Sequence, residues 1–203
     1  MEKFKTLTSV PTPLDRTNVD TDQIIPKQFL KKIERTGYED YLFFDWRQTP
    51  DGKPIADFPL NDARFKGSKI LIAGKNFACG SSREHAVWAL SDYGFRVVIA
   101  PTFADIFYSN AGKNGIVLVK LSEEQVDQLL KNAQTIPGYQ LTVSLEAQTV
   151  TDGRGFEAKF EFDAFRKYCL MEGLDDIGLT LRHAVALDAF EKQHDQAGWL
   201  RVK

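Results

Sequence analysis

The run with the most chemistry in it is Gly80-Ser81-Ser82-Arg83-Glu84-His85. It follows an apolar strand signal, Lys69-Ile70-Leu71-Ile72-Ala73, and a glycine-containing loop over 74–80. It opens a predicted helix over 81–93 that Gly94 stops. A helix start behind glycine leaves N–H groups unpaired at the positive end of the helix dipole, which suits an anion. Ser81 and Ser82 add hydroxyls there, and the planar fork of Arg83 can hold a carboxylate through two parallel hydrogen bonds. The chemistry that fits is the binding of a small acid. The same residue types also fit a plain capped helix, with Arg83 in solvent and His85 paired to Glu84 or to backbone, and spacing alone does not separate the two. No Gly-Lys-Ser/Thr follows the glycines and no Gly-x-Ser-x-Gly occurs, so neither a P-loop nor a hydrolase nucleophile elbow is indicated.

The elements that must position this run belong to an α/β core. After the helix come a strand at 95–100, a helix at 104–110 and a strand at 116–119, an alternation that implies parallel pairing. Ser122 caps a further helix, with Gln125 in capping-box spacing. Outside this core, 4–10 reads as a strand ended by Pro11-Thr12-Pro13. Residues 139–145 and 156–162 alternate like antiparallel strands about the turn Asp152-Gly153-Arg154-Gly155. A mixed sheet with flanking helices is the expectation, closed by helices at 163–172 and 175–193. The stretch 27–67 mixes aromatics with glycine and proline around a short helix near 38–44, and a connection that long is more often functional than idle. One domain spans 1–203.

Composition narrows the partners. Hydrophobic residues are 43% and charged residues 27%, which excludes disorder as the main state. The net charge of -2 carries no basic stripe, so nucleic acid is not an expected partner. Apolar runs are strand-sized, none long enough for a membrane, and the charged start Met1-Glu2-Lys3-Phe4 lacks the apolar segment of a secretory signal. Two cysteines, Cys79 and Cys169, cannot form a disulfide framework, nor an iron–sulfur or zinc site of their own, and the three histidines do not make up the shortfall. No metal site is expected on this chain, and a reducing cytoplasm suits it.

The stretch Gly74-Lys75-Asn76-Phe77-Ala78-Cys79-Gly80-Ser81-Ser82-Arg83-Glu84-His85-Ala86 closely resembles the signature of the aconitase swivel domain, in particular the separate small subunits of 3-isopropylmalate dehydratases. Asn18-Val19-Asp20-Thr21-Asp22-Gln23-Ile24-Ile25-Pro26-Lys27 resembles that family's N-terminal motif. Pro101-Thr102-Phe103-Ala104-Asp105-Ile106-Phe107 and Asn110-Ala111-Gly112-Lys113-Asn114-Gly115 match its central helix and loop, and Asp175-Asp176-Ile177-Gly178-Leu179-Thr180-Leu181 the tail of its longer bacterial form. The resemblance implies a three-layer β/β/α swivelling domain with a C-terminal helical extension. It implies a hydro-lyase that interconverts 2-isopropylmalate and 3-isopropylmalate, in leucine biosynthesis, by dehydration and rehydration. It implies as partner a large subunit that holds a [4Fe-4S] cluster, with none bound by this chain. The alternative reading is the small subunit of a related isomerase with the same architecture, acting on citramalate, homocitrate or a dimethylmalate-type acid.

By the same resemblance Ser81 is the base that removes a carbon-bound proton, and Gly80, Ser82 and Arg83 hold a substrate carboxylate. Asp22 orients Arg83 or the serine, a place where a turn or cap aspartate also fits. The segment 27–37 selects the substrate side chain: Phe29 and Leu30 suit a branched apolar group or the core, Lys27 is a candidate contact, and Lys31, Lys32 and Arg35 are not separated from it. Cys79 is a bystander, His85 a structural partner of the helix start, and Cys169 a core residue. The one departure is Ala78, where a glycine is expected.

Overall fold

The computed structural model describes residues 1–32, 34–81 and 83–197. Its strands are β1 (Thr6–Ser9), β2 (Pro11–Leu14), β3 (Ile70–Ala73), β4 (Val97–Ala100), β5 (Val117–Lys120), β6 (Leu141–Ser144), β7 (Thr149–Thr151) and β8 (Glu157–Lys159). Its helices are α1 (Thr21–Ile24), α2 (Phe44–Arg47), α3 (Glu84–Tyr93), α4 (Asp105–Lys113), α5 (Glu123–Thr135), α6 (Ala164–Glu172), α7 (Asp176–Leu181) and α8 (Ala184–Ala197).

Parallel and antiparallel pairing are both present, but they are segregated rather than mixed in one sheet. β2-β3-β4-β5 is wholly parallel and β1-β6-β7-β8 wholly antiparallel. The chain crosses between them at Val10. The prolines predicted to end the first strand instead form β2, in register with Ile70–Ala73. β2 is an edge strand, so only alternate N–H groups face β3. Pro11 and Pro13, two apart, put their missing donors together on the open side.

The apolar quartets of β3 and β4 are continuous because both faces of the parallel sheet are covered. Leu71, Ala73, Val98, Ala100 and Leu118 pack with Ala86, Val87 and Leu90 of α3 and Phe107 and Ala111 of α4. Ile70, Ile72, Val97, Ile99, Val117 and Val119 pack with Val126, Leu129 and Leu130 of α5 and with Leu141, Val143 and Val150 of the antiparallel sheet. Each such fully buried aliphatic chain contributes roughly 1.5–3 kcal/mol. The result is an antiparallel layer, a parallel layer and a helical layer.

Three elements differ from their predicted form. β7 occupies 149–151 between the two predicted strands and pairs with both neighbours. The helix expected at 38–44 is a 3₁₀ turn (Glu39–Tyr41) and α2, separated where Phe43 takes a left-handed φ of 49°. The last predicted helix is broken at Arg182, whose guanidinium donates to the Tyr168 hydroxyl, and α8 follows with the side chains of 184–193 exposed.

Candidate functional site

The loops that leave β2, β3 and β4 lie side by side at the carboxyl ends of parallel strands, where open α/β sheets place their ligands. They bring the three central sequence motifs together. Asn18 N donates to the Lys75 carbonyl (2.9 Å), Cys79 N to the Val19 carbonyl (3.1 Å) and Thr21 N to the Cys79 carbonyl (3.0 Å). On the other side Phe77 N donates to Thr102 O (3.0 Å) and Ala104 N to Phe77 O (3.1 Å). The approach is close enough that a Cβ on Gly74 would stand 2.6 Å from the Arg16 carbonyl oxygen, so only glycine fits there. Asn76, Ala78 and Gly80 then alternate in the left-handed region, with φ of 59°, 59° and 89°. The predicted glycine position is thus one where glycine's conformation is used, and an alanine adopts it.

The loop delivers Ser81 and Arg83 to an open pocket of ≈ 230 Å³, lined by Thr21, Ala78, Gly80, Ser81, Arg83, Ala104, Asp105, Ile106 and Phe107. The expected helix start at Ser81 is corrected by three residues: α3 begins at Glu84, and Arg83 is its N-cap without a side-chain cap bond. Ser81 therefore belongs to the loop, and its carbonyl accepts from Thr21 Oγ1 at 2.9 Å. Gly80 and Ser81 are exposed, whereas the Arg83 side chain keeps only 12% of its surface. Its guanidinium donates to the Asp22 carboxylate, which also faces Lys27 Nζ at 3.5 Å. The Arg83 hydrogen bond is the main influence holding the Asp22 carboxyl below the usual carboxylate range, against some desolvation and helped by Lys27. Asp22 thus stays ionised at neutral pH and fixes the guanidinium of Arg83, a residue of the pocket lining. Asp20 beside it is a cap, closing a capping box with Gln23 on α1.

The model of the aconitase C-terminal domain matches residues 1–124, a model described as LeuD_N matches 127–164, and that of the C-terminal domain of the 3-isopropylmalate dehydratase small subunit matches 176–200. A 3-isopropylmalate dehydratase small subunit of Acidobacterium capsulatum is 68% identical over 200 residues, covering 98% of this chain and 94% of its own. The chain belongs to the 3-isopropylmalate dehydratase small-subunit family. Another small subunit of that name, from Koribacter versatilis, is 57% identical over 96% of this chain and 100% of its own. The crystal structure of a Methanocaldococcus jannaschii 3-isopropylmalate dehydratase has a TM-score of 0.67 at 24% identity, covering 91% of this chain and 99% of that one, and shares the fold.

For a 3-isopropylmalate dehydratase small subunit, the sequence expectations divide into three groups. The structure brings Gly80, Ser81, Arg83, Asp22 and Lys27 together. Phe29 and Leu30 are half-buried against the core rather than lining the pocket: the Phe29 ring is stacked on Tyr41 with centroids 4.0 Å apart and edge-on to Phe44 at 4.9 Å. Ser82 lies outside the described residues. His85, expected as a structural partner, packs its ring on Trp88 at 4.7 Å and on Tyr38 at 5.6 Å, and burial pushes its pKa down. Thr21, Ala104, Asp105, Ile106 and Phe107 were not anticipated as lining. The signal for four of them was available, because the loop after β4 must adjoin the loop after β3 in a parallel sheet.

The residues present do not fit an iron–sulfur cluster. Cys79 is half-buried at the site while Cys169 is buried in α6, and among the described residues no three His, Cys, Asp or Glu side chains converge as a metal requires. Nor, among them, is any helix long and apolar enough to cross a membrane.

Proposed function

We propose that this chain, acting as one swivel domain over 1–203, supplies the proton-transfer and carboxylate-binding side of a 3-isopropylmalate dehydratase site completed by a large subunit. The observation that carries the reading is the convergence of Ser81 and Arg83 on one open pocket, with the guanidinium fixed by Asp22. Arg83 N–H groups not used on Asp22 grip a carboxylate of the substrate, 2-isopropylmalate or 3-isopropylmalate, together with Ser82 and Gly80, and Lys27 adds charge at the rim. Ser81 Oγ, alkoxide-like in the assembled site, takes the proton from the carbon next to the one that bears the hydroxyl; the C–O bond breaks, the hydroxyl leaves as water and a carbon–carbon double bond forms. On rehydration water adds its hydroxyl to the carbon that lost the proton, and Ser81 returns a proton to the carbon that lost the hydroxyl. A serine oxygen is a weak base, so it depends on the positive end of α3 and on Arg83 beside it.

Gly80 and Ser81 face solvent in this chain, which supports a second polypeptide as the opposite wall. The iron–sulfur cluster belongs to that large subunit in this reading, and this chain's share is binding and proton transfer. The segment 27–37, with Phe29 stiffened by ring packing and Leu30 packed against the core, shapes the space for the branched side chain. The unpaired cysteines fit work in the cytoplasm. In the reconstituted two-subunit enzyme, Ser81→Ala is expected to lower turnover of 3-isopropylmalate by a factor on the order of 10²–10⁴ while the subunits still co-purify. Turnover close to wild type would defeat the assignment.

A further inference from the structure

Thr21 makes two contacts that no other residue of the pocket makes. Its backbone N–H donates to the carbonyl of Cys79 at 3.0 Å, and its hydroxyl donates to the carbonyl of Ser81 at 2.9 Å. Between those two carbonyls lie Gly80 and the Cα of Ser81, and Gly80 has a φ of 89° that few side chains adopt and that glycine reaches and leaves freely. Thr21 is 2% exposed, so its hydroxyl has little water to turn to. Among the described residues no hydrogen bond holds the Ser81 hydroxyl, and Thr21 holds the backbone that carries it.

We infer that Thr21 is a positioning residue that holds the carbonyls of Cys79 and Ser81 and thereby aims Ser81 Oγ. The inference rests on the reading of Ser81 as the proton-transferring group. It predicts an effect on the rate of the chemical step rather than on substrate capture, because Arg83 keeps its own hold on Asp22. A displacement of about 1 Å at a reacting atom costs up to about 10²-fold in rate.

The test uses the reconstituted two-subunit enzyme and 3-isopropylmalate. Thr21→Val keeps the shape of the side chain and removes its donor. It is expected to lower kcat by about 10- to 100-fold with KM within about threefold of wild type. The thermal midpoint should move by no more than about 4 °C, since the Ser81 carbonyl can turn to solvent. Thr21→Ser, which keeps the hydroxyl, is expected to restore kcat. On the residual rate of Ser81→Ala, adding Thr21→Val is expected to cost nothing more, because two residues that act through one atom are not additive. A Thr21→Val enzyme with wild-type kcat, a Thr21→Ser enzyme as slow as the valine variant, or an equal loss in the Ser81→Ala background each overturns the inference. If Ser81→Ala itself turns over at the wild-type rate, the reading of Ser81 falls and the inference with it; failure only in the Thr21 arms leaves that reading standing.

Discussion

Two regions meet at the first turn of α3, and they are held together by different forces. Before the turn, residues 74–81 and 83 have almost no regular structure, yet directional bonds to 16–22 and 102–104 fix them nearly residue by residue. Within the turn, His85 and Trp88 close onto an aromatic cluster of Phe29, Tyr38 and Tyr41, where rings 4.0–6.3 Å apart replace hydrogen bonds. Polar contacts there tie the cluster to its surroundings: the buried Tyr38 hydroxyl donates to the carbonyls of Lys32 (3.1 Å) and Glu34 (2.8 Å), and Trp88 Nε1 donates to Asn114 Oδ1 (3.2 Å). A polar loop specifies where individual atoms sit, and an aromatic cluster specifies the shape of a surface. Changes in the first region should therefore read out in kinetics, and changes in the second in stability and its pH dependence.

The sharpest way to break this contrast is Arg83→Lys, which keeps the charge and loses the fork. Hydrogen bonds to charged groups are worth about 1.5–3 kcal/mol, so KM for 3-isopropylmalate should rise on the order of 10- to 100-fold in the reconstituted enzyme. The melting temperature should hardly change, since the partner Asp22 is half-exposed and can be hydrated. An unchanged KM with a large loss of stability would place Arg83 in the structural class instead.

A smaller effect is expected from His85→Phe. Burial lowers the pKa of His85, with Arg83 adding to the shift and Glu84 opposing it. Its folded state therefore resists protonation more than its unfolded state. The unfolded chain binds more protons once the pH drops below the ordinary histidine value, about 6.5, and stability is lost from there down to the lower folded pKa. Phenylalanine keeps ring contacts with Tyr38 and Trp88 and removes that loss. Urea midpoints measured between pH 7.5 and 5 should fall less steeply for the variant than for the wild type. Equal slopes would show that the cluster contributes no pH dependence through His85.

How far each region was legible in the sequence follows from the same physics. The quartets Ile70–Ala73 and Val97–Ala100, the stop at Gly94 and the capping box of Ser122 with Gln125 are local patterns, and each forms as read. What escaped depends on distant partners. Pro11 and Pro13 read as a strand end because the sequence does not reveal that their strand sits at a sheet edge. The paired serines read as helix caps because nothing near them tells that Thr21, sixty residues earlier, takes the Ser81 carbonyl. Ser81, Arg83 and Asp22 were grouped through family resemblance and not through spacing, since only the parallel pairing of β2 with β3 makes residues 22 and 83 neighbours. Phe29 and Leu30 show the converse. Their apolar character was plain, but whether they face a ligand or their own core is decided by Tyr41 and Phe44, whose stacking no one-dimensional pattern announces.

Ala78 gives the smallest expected effect and the finest probe of the polar region. At a φ of 59° a non-glycine residue bears a cost of roughly 1–2 kcal/mol. Ala78→Gly relieves that cost. It also removes a methyl group that is 2% exposed, worth roughly 0.8 kcal/mol, and frees the unfolded chain by roughly 0.4–1 kcal/mol. The opposing effects nearly cancel, so the melting temperature is expected to stay within about 4 °C of wild type. Turnover should stay within about threefold, because the neighbours on both sides are independently tied: Phe77 to Thr102 and Ala104, Cys79 to Val19 and Thr21. A glycine variant that keeps its stability but loses most of its turnover would show that these backbone bonds do not suffice to hold the loop. Stiffness at position 78, and not only the clamp at Thr21, would then belong to the positioning of Ser81.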